Sequence, residues 1–127
     1  MIKLRKEQII LMHRQLIDAT GGIHGVRDDG MLESALAAPY AGYKDEEFFP
    51  SIEEKAARLA VGLVNNHPMI DGNKRIGAHA MLTLLVLNNV KLSYTQKELS
   101  DEFLAIANGE HQYENLLQWI RNHKLMN

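Results

Sequence analysis

The stretch Ser51–Asn89, SIEEKAARLAVGLVNNHPMIDGNKRIGAHAMLTLLVLNN, decides the fold. It opens on a capping box, Ser51-Ile-Glu-Glu54, in which hydroxyl and carboxylate each satisfy a backbone N–H that a helix start leaves without a partner. Ile52, Ala56, Leu59, Ala60, Leu63 and Val64 then recur at helical spacing and supply one buried stripe. Pro68 disfavours helical geometry in the residue before it, so this helix finishes around Asn65-Asn66. From Lys74 or Arg75 to about Asn89 the chain is helix again. Ile76 through Leu87 is apolar on nearly every face, which predicts a helix at the centre of a domain.

Working outward, Ile9, His13, Leu16 and Ile17 share one face of a first helix, roughly residues 4 to 19, ended by Thr20-Gly21-Gly22. Asp28 and Asp29 cap a short second helix carrying Met31, Leu32, Ala35 and Leu36, which Pro39 stops. Thr95-Gln-Lys-Glu98 is a second capping box; it opens a fifth helix through Leu99, Phe103 and Ile106 that Asn108-Gly109 ends. Tyr113, Leu116, Leu117 and Ile120 make the sixth. Only Pro39 to Pro50, with Tyr40, Tyr43, Phe48 and Phe49, has room for a short hairpin. The expectation is an all-α single domain over residues 1–127, with about six helices.

Composition narrows the function. The 127 residues, 46% hydrophobic and 24% charged, suit one domain with one core. A net charge of -2 and a pI near 6.3 supply no positive field to hold nucleic acid or an anionic membrane, which argues against helix-turn-helix DNA binding. With no cysteine there is no disulfide framework, thiol nucleophile or thiolate metal site, and a reducing compartment fits. The N-terminus has no signal-peptide core, and Ala80–Leu87 is far shorter than the roughly 20 residues of a membrane span, so a cytoplasmic protein is expected.

Chemistry enters between the two decisive helices, at His67–Arg75, HPMIDGNKR. The N–H groups at a helix N-terminus and the positive end of its dipole form an anion site, and Gly72, Asn73, Lys74 and Arg75 occupy that point. Gly72 lets backbone approach a phosphate, Lys74 offers a point charge, and Arg75 offers a planar fork. Imidazole can accept a hydroxyl proton at neutral pH, which suits His67, and the carboxylate of Asp71 is a hard oxygen ligand suited to Mg²⁺. The set fits phosphoryl or nucleotidyl transfer. The same residues also make an ordinary charged turn. A zinc pair of His67 and Asp71 is disfavoured because Pro68 and Gly72 interrupt any continuous helix between them.

HPMIDGNKR resembles the signature of the Fic/Doc (fido) family, which runs His-x-Phe-x-Asp/Glu-Gly/Ala-Asn-Lys/Gly-Arg. GGIHGVRDDGMLESALAAP, Gly21–Pro39, is similar to the N-terminal part of the family's Doc-type, death-on-curing toxins. The resemblance implies a fido-fold helical bundle with a flap between the second and third helices, corresponding to Pro39–Pro50, where a target peptide pairs. It implies that His67 is the base, Asp71 the Mg²⁺ ligand, and Asn73, Lys74 and Arg75 the phosphate-holding residues. Family members that transfer AMP carry Gly after the Asn and a second Arg three residues beyond the first; Lys74 and Ala78 stand there in this chain. Both departures imply the Doc branch, which transfers the γ-phosphate of ATP to a hydroxyl of a translation elongation factor. AMP transfer and a non-enzymatic interaction module are the alternatives.

Met69 replaces the family's usual Phe and is expected to plug the motif loop into the core. The inhibitory motif Ser/Thr-x-x-x-Glu-Gly/Asn is absent from the sequence, so the resemblance implies restraint by a separate antitoxin that folds on binding. Of the other histidines, His13 is expected to be structural, His79 to pack or to support the site, and His24, His111 and His123 to lie on the surface or in loops. Arg27 and Asp28 are expected to serve local structure, Asp28 as a cap.

Overall fold

The structure, a computed structural model, describes residues 1–126. Helices α1 (Lys6–Thr20) and α2 (Asp29–Ala37) lead through a 3₁₀ turn, Ala38–Tyr40, into a two-stranded hairpin, β1 (Gly42–Tyr43) and β2 (Glu46–Glu47). Then follow α3 (Ile52–Asn66), α4 (Asn73–Leu87), α5 (Gln96–Ala107) and α6 (Tyr113–His123). The all-α class is as the periodicity predicts, and the hairpin is antiparallel with Gly42 opposite Glu47.

The start signals act as read. Asp28 accepts the Met31 N–H, Ser51 and Glu54 exchange side-chain bonds with each other's N–H, and Thr95 and Glu98 do the same. Helices α4 and α5 end in Schellman motifs. Asn89 (φ 66°) and Gly109 (φ 79°) adopt the left-handed conformation, and the N–H of the next residue returns to Leu85 and Ala105 respectively. Pro39 does not follow a clean stop. It sits inside the 3₁₀ turn that continues α2, because a proline needs no helical donor in a first turn.

Burial is distributed differently from the periodicity reading. Helix α3, more than α4, holds the middle of the core, packing against α2, α4, α5, α6 and the 3₁₀ turn. Its small residues allow this. A Cβ added at Gly62 would stand 3.3 Å from the Ala35 backbone of α2. One added at Gly77 of α4 would stand 2.9 Å from Val64 and 3.3 Å from the Ala60 carbonyl. The far end of α4 runs out of neighbours, leaving Val86 59% exposed. One cluster of buried side chains extends from Leu4 to Ile120.

Two histidines expected on the surface or in loops, His111 in the α5–α6 loop and His123 at the end of α6, also do structural work there. His123 donates from Nδ1 to the Trp119 carbonyl (2.8 Å), stacks on the Trp119 ring and meets Glu98 through Nε2 (3.1 Å). His111 pairs through Nδ1 with the buried carboxylate of Glu102 (2.9 Å).

Candidate active site

His67 directly follows α3 with φ 47° and ψ 53°, a left-handed conformation instead of the extended one that a following proline favours. Such a conformation costs a side-chain-bearing residue about 1–2 kcal/mol, so the surroundings must hold it. They do so through the segment after α1. Arg27 Nε donates to the His67 carbonyl (2.6 Å) and its terminal Nη2 to the Asn66 carbonyl (2.9 Å). The Pro68 carbonyl accepts the N–H of Arg27 and of Asp28 (2.7 and 3.0 Å), Val26 and Met69 form an antiparallel bridge, and Ile70 N–H reaches the Gly25 carbonyl (3.0 Å). Met69 is buried in the core, as its replacement of an aromatic suggested.

The Asn73 amide faces inward on the loop. Its Oδ1 accepts the Met69 N–H (2.9 Å) and its Nδ2 donates to the Met69 carbonyl (3.1 Å). The side chain of Asn73, a residue expected to hold phosphate, staples the loop in this structure, and its backbone N–H in the first turn of α4 is the donor left to face an anion.

Asp71 is fixed at three points. Gly72 N–H donates to Oδ1 (2.8 Å) and Ile23 N–H to Oδ2 (3.1 Å), while the buried His13 ring donates from Nε2 to the Asp71 main-chain carbonyl (2.7 Å). His13 is structural, as expected, yet the structure it maintains belongs to the site. Arg75 extends toward the end of α1, donating to the Thr20 hydroxyl (2.6 Å) and the Gly21 carbonyl (2.7 Å), with its other nitrogen 3.7 Å from Asp71 Oδ1. Gly22, at φ 122°, lies against this pair: a Cβ there would come within 2.6 Å of Asp71 Oδ2.

Helix α4 begins at Gly72, in the left-handed region at φ 77°. No side chain caps it and its first turn holds no acidic residue, only Asn73, Lys74 and Arg75. Cations at the positive end of a helix dipole are unfavourable by about 0.3–1 kcal/mol each, the reverse of the usual placement. An anion bound there reverses the sign.

The motif residues His67 and Ile70–Arg75 form one wall of a cleft of about 780 Å³; α5 forms the other with Gln96, Leu99, Ser100, Phe103, Leu104 and Ala107. The α5 wall was missed in the sequence, where Leu99 and Phe103 read as ordinary core stripe and nothing local marks which neighbour they meet. His79 is exposed on α4 and does not line the cleft. Among the described residues no three His, Cys, Asp or Glu side chains gather to hold a metal. Mg²⁺ beside a nucleotide needs only one or two carboxylates, the remaining ligands being phosphate oxygens and water. Asp71, its side chain 41% exposed and with two backbone donors on oxygens that can accept about four bonds, fits that demand.

The site is thus a cationic, uncapped helix start in a helical domain, with a histidine at the cleft rim and one carboxylate beside it. Residues 3–85 match the family model described as Fic/DOC, and the chain belongs to that family. It is 41% identical over 75 residues to Toxin Doc of Mycolicibacterium smegmatis, a match that covers 59% of this chain and 58% of that protein. It is 29% identical over 115 residues to Protein kinase doc of Escherichia phage P1, covering 91% of this chain and 90% of that protein.

Proposed function

We propose that the protein is a Doc-type toxin kinase that transfers the γ-phosphate of Mg-ATP to a Ser or Thr hydroxyl of a translation elongation factor and so arrests translation in the cytoplasm. The observation that carries the reading is the start of α4: no side chain caps it, its first turn holds no acid, and Lys74 and Arg75 stand at the positive end of its dipole, where a bound anion would favour both as Asp71 beside the turn already favours Arg75. The name of the phage P1 relative, a protein kinase, and Lys74 after Asn73 both favour phosphate over AMP transfer.

In this reading the backbone N–H groups of Asn73, Lys74 and Arg75 and the Lys74 ammonium hold the nucleotide phosphates. His67 takes the proton of the acceptor hydroxyl as its oxygen bonds the γ-phosphorus and the bond from that phosphorus to the ADP oxygen breaks. Asp71 would hold Mg²⁺, which when bound would supply neutralisation of charge on the transferred group. Arg75 keeps Asp71 in place from the side of α1 and adds positive charge. Phosphoryl transfer asks mainly for positioning and charge neutralisation, and the loop provides both. The α5 wall shelters the rest of the nucleotide, the hairpin with its exposed Tyr43 and Phe48 receives the target segment, and a separate antitoxin restrains the enzyme.

Purified bacterial elongation factors incubated with the protein, Mg²⁺ and ATP labelled at either the α or the γ phosphate decide the reaction. Label from the γ position is expected on one of them. Label from the α position alone would replace the kinase reading with AMP transfer, and no label with a growth-inhibiting protein would move the target elsewhere.

A further inference from the structure

We infer that Arg27, outside the motif, is a positioning residue that sets the conformation of His67; the inference rests on the reading of His67 as the base. Helices α4 and α5 each end with a left-handed residue whose successor donates its N–H back into the last turn, Val90 to Leu85 and Glu110 to Ala105. Helix α3 ends with left-handed His67, and the successor is Pro68, which has no N–H to give. The chain cannot close this end with its own backbone. Arg27 supplies donors from elsewhere, one on each of the two carbonyls, Asn66 and His67, that flank the turn. Its positive charge also sits at the negative end of the α3 dipole, where a cation is favourable.

The rigid fork of the guanidinium matters here. Two donors held in one plane fix the relative orientation of two successive carbonyls, and hence the dihedral angles of His67 between them; a single ammonium cannot do that. The backbone of the same residue and of its neighbour Asp28 grips the Pro68 carbonyl, so Arg27 holds three consecutive carbonyls, those of Asn66, His67 and Pro68. None of these bonds touches the imidazole or a phosphate. Removing the side chain should leave binding of Mg-ATP in place and misdirect the ring that takes the proton.

The test compares Arg27→Ala and Arg27→Lys with the unaltered protein, using γ-labelled ATP and a purified elongation factor as acceptor. Arg27→Ala is expected to lower kcat about 10- to 100-fold, the effect of displacing a reacting group by about 1 Å, with little change in the KM for Mg-ATP. Arg27→Lys, which keeps the charge but loses the planar fork, should recover little of the loss. Because Arg27 is exposed, added guanidinium ion should recover part of it in Arg27→Ala. Independently of activity, the ¹³Cα and ¹³Cβ shifts of His67 should leave the left-handed range in Arg27→Ala. A folded Arg27→Ala variant with unchanged His67 shifts, or with unaltered kcat, overturns the inference. A folded His67→Ala variant that still transfers label instead removes the base reading; the shifts then decide alone whether Arg27 sets the His67 conformation.

Discussion

At the residue scale, the motif is held by groups that its own spelling does not point to. Within the motif itself, the Asn73 amide closes a ring with the Met69 main chain. Asn73→Ala leaves that donor and acceptor without partners, and a loss of about 1–3 kcal/mol is expected, measured as a lower urea midpoint with an unchanged denaturant slope. Gly22 gives a second test. Gly22→Ala brings a methyl group within 2.6 Å of Asp71 Oδ2 at a backbone angle that disfavours any side chain, so the carboxylate must move. The Mg²⁺ concentration for half-maximal transfer should rise markedly while the protein stays folded. From sequence, Gly21-Gly22 was only the end of a helix, because the partner it crowds is 49 positions away, Asp71 counted from Gly22.

At the scale of the elements, local signals and close packing act together. Thr95→Ala removes the hydroxyl that receives the Glu98 N–H and should cost about 1 kcal/mol, read from thermal or urea unfolding. Gly77→Ala gains up to about 1 kcal/mol of helix propensity but drives a methyl group to 2.9 Å from Val64, with a backbone carbonyl close behind. Overpacking of this kind costs about 1–3 kcal/mol, so a net loss of stability is expected. The α5–α6 junction carries a pH dependence. Burial by itself would lower the His123 imidazole, yet its bonds to the Trp119 carbonyl and the Glu98 carboxylate hold it above its ordinary range. The Thr95 backbone N–H, then His123, hold Glu98 below the usual carboxylate range. A raised histidine stabilises the fold fully below its unfolded value, about 6.5, and ceases to do so as pH rises through its folded value. Unfolding free energies from about pH 6 to about pH 8 should therefore fall more steeply in the unaltered protein than in His123→Gln.

At the scale of the whole molecule, the site is a cleft between two helices that the chain joins through a connector, Asn88–Thr95, remote from the motif. Ser100 stands exposed on the α5 wall, so Ser100→Trp should fill the cleft without disturbing the core. The expected outcome is a higher KM for Mg-ATP at an unchanged Tm. Expression in growing cells tests the whole assembly at once: His67→Ala should be folded and harmless, since the ring lies at the cleft rim and not in the core. A folded variant that still stops growth would favour the interaction module over the enzyme.

The six helices, both Ser/Thr capping boxes, the hairpin and the motif were legible because each depends on residues within a turn or two of one another. Periodicity, caps and turn-forming residues are short-range physics, and the amino-acid order states them directly. What the motif rests on was not legible. The bonds from Arg27 to His67, from Ile23 to Asp71, from Arg75 to Thr20 and from His13 to Asp71 join residues 40, 48, 55 and 58 positions apart. Which side chain meets which at such separations depends on how the helices pack. The sequence by itself therefore determined that a charged, uncapped helix start follows a broken helix. The tertiary structure alone decided that the segment after α1 folds back onto that break, that α5 closes the cleft, and that a proline's missing N–H is replaced by an arginine. The physical reason is that a helix can announce its ends locally, whereas the partners of an exposed turn are chosen by the whole packed core.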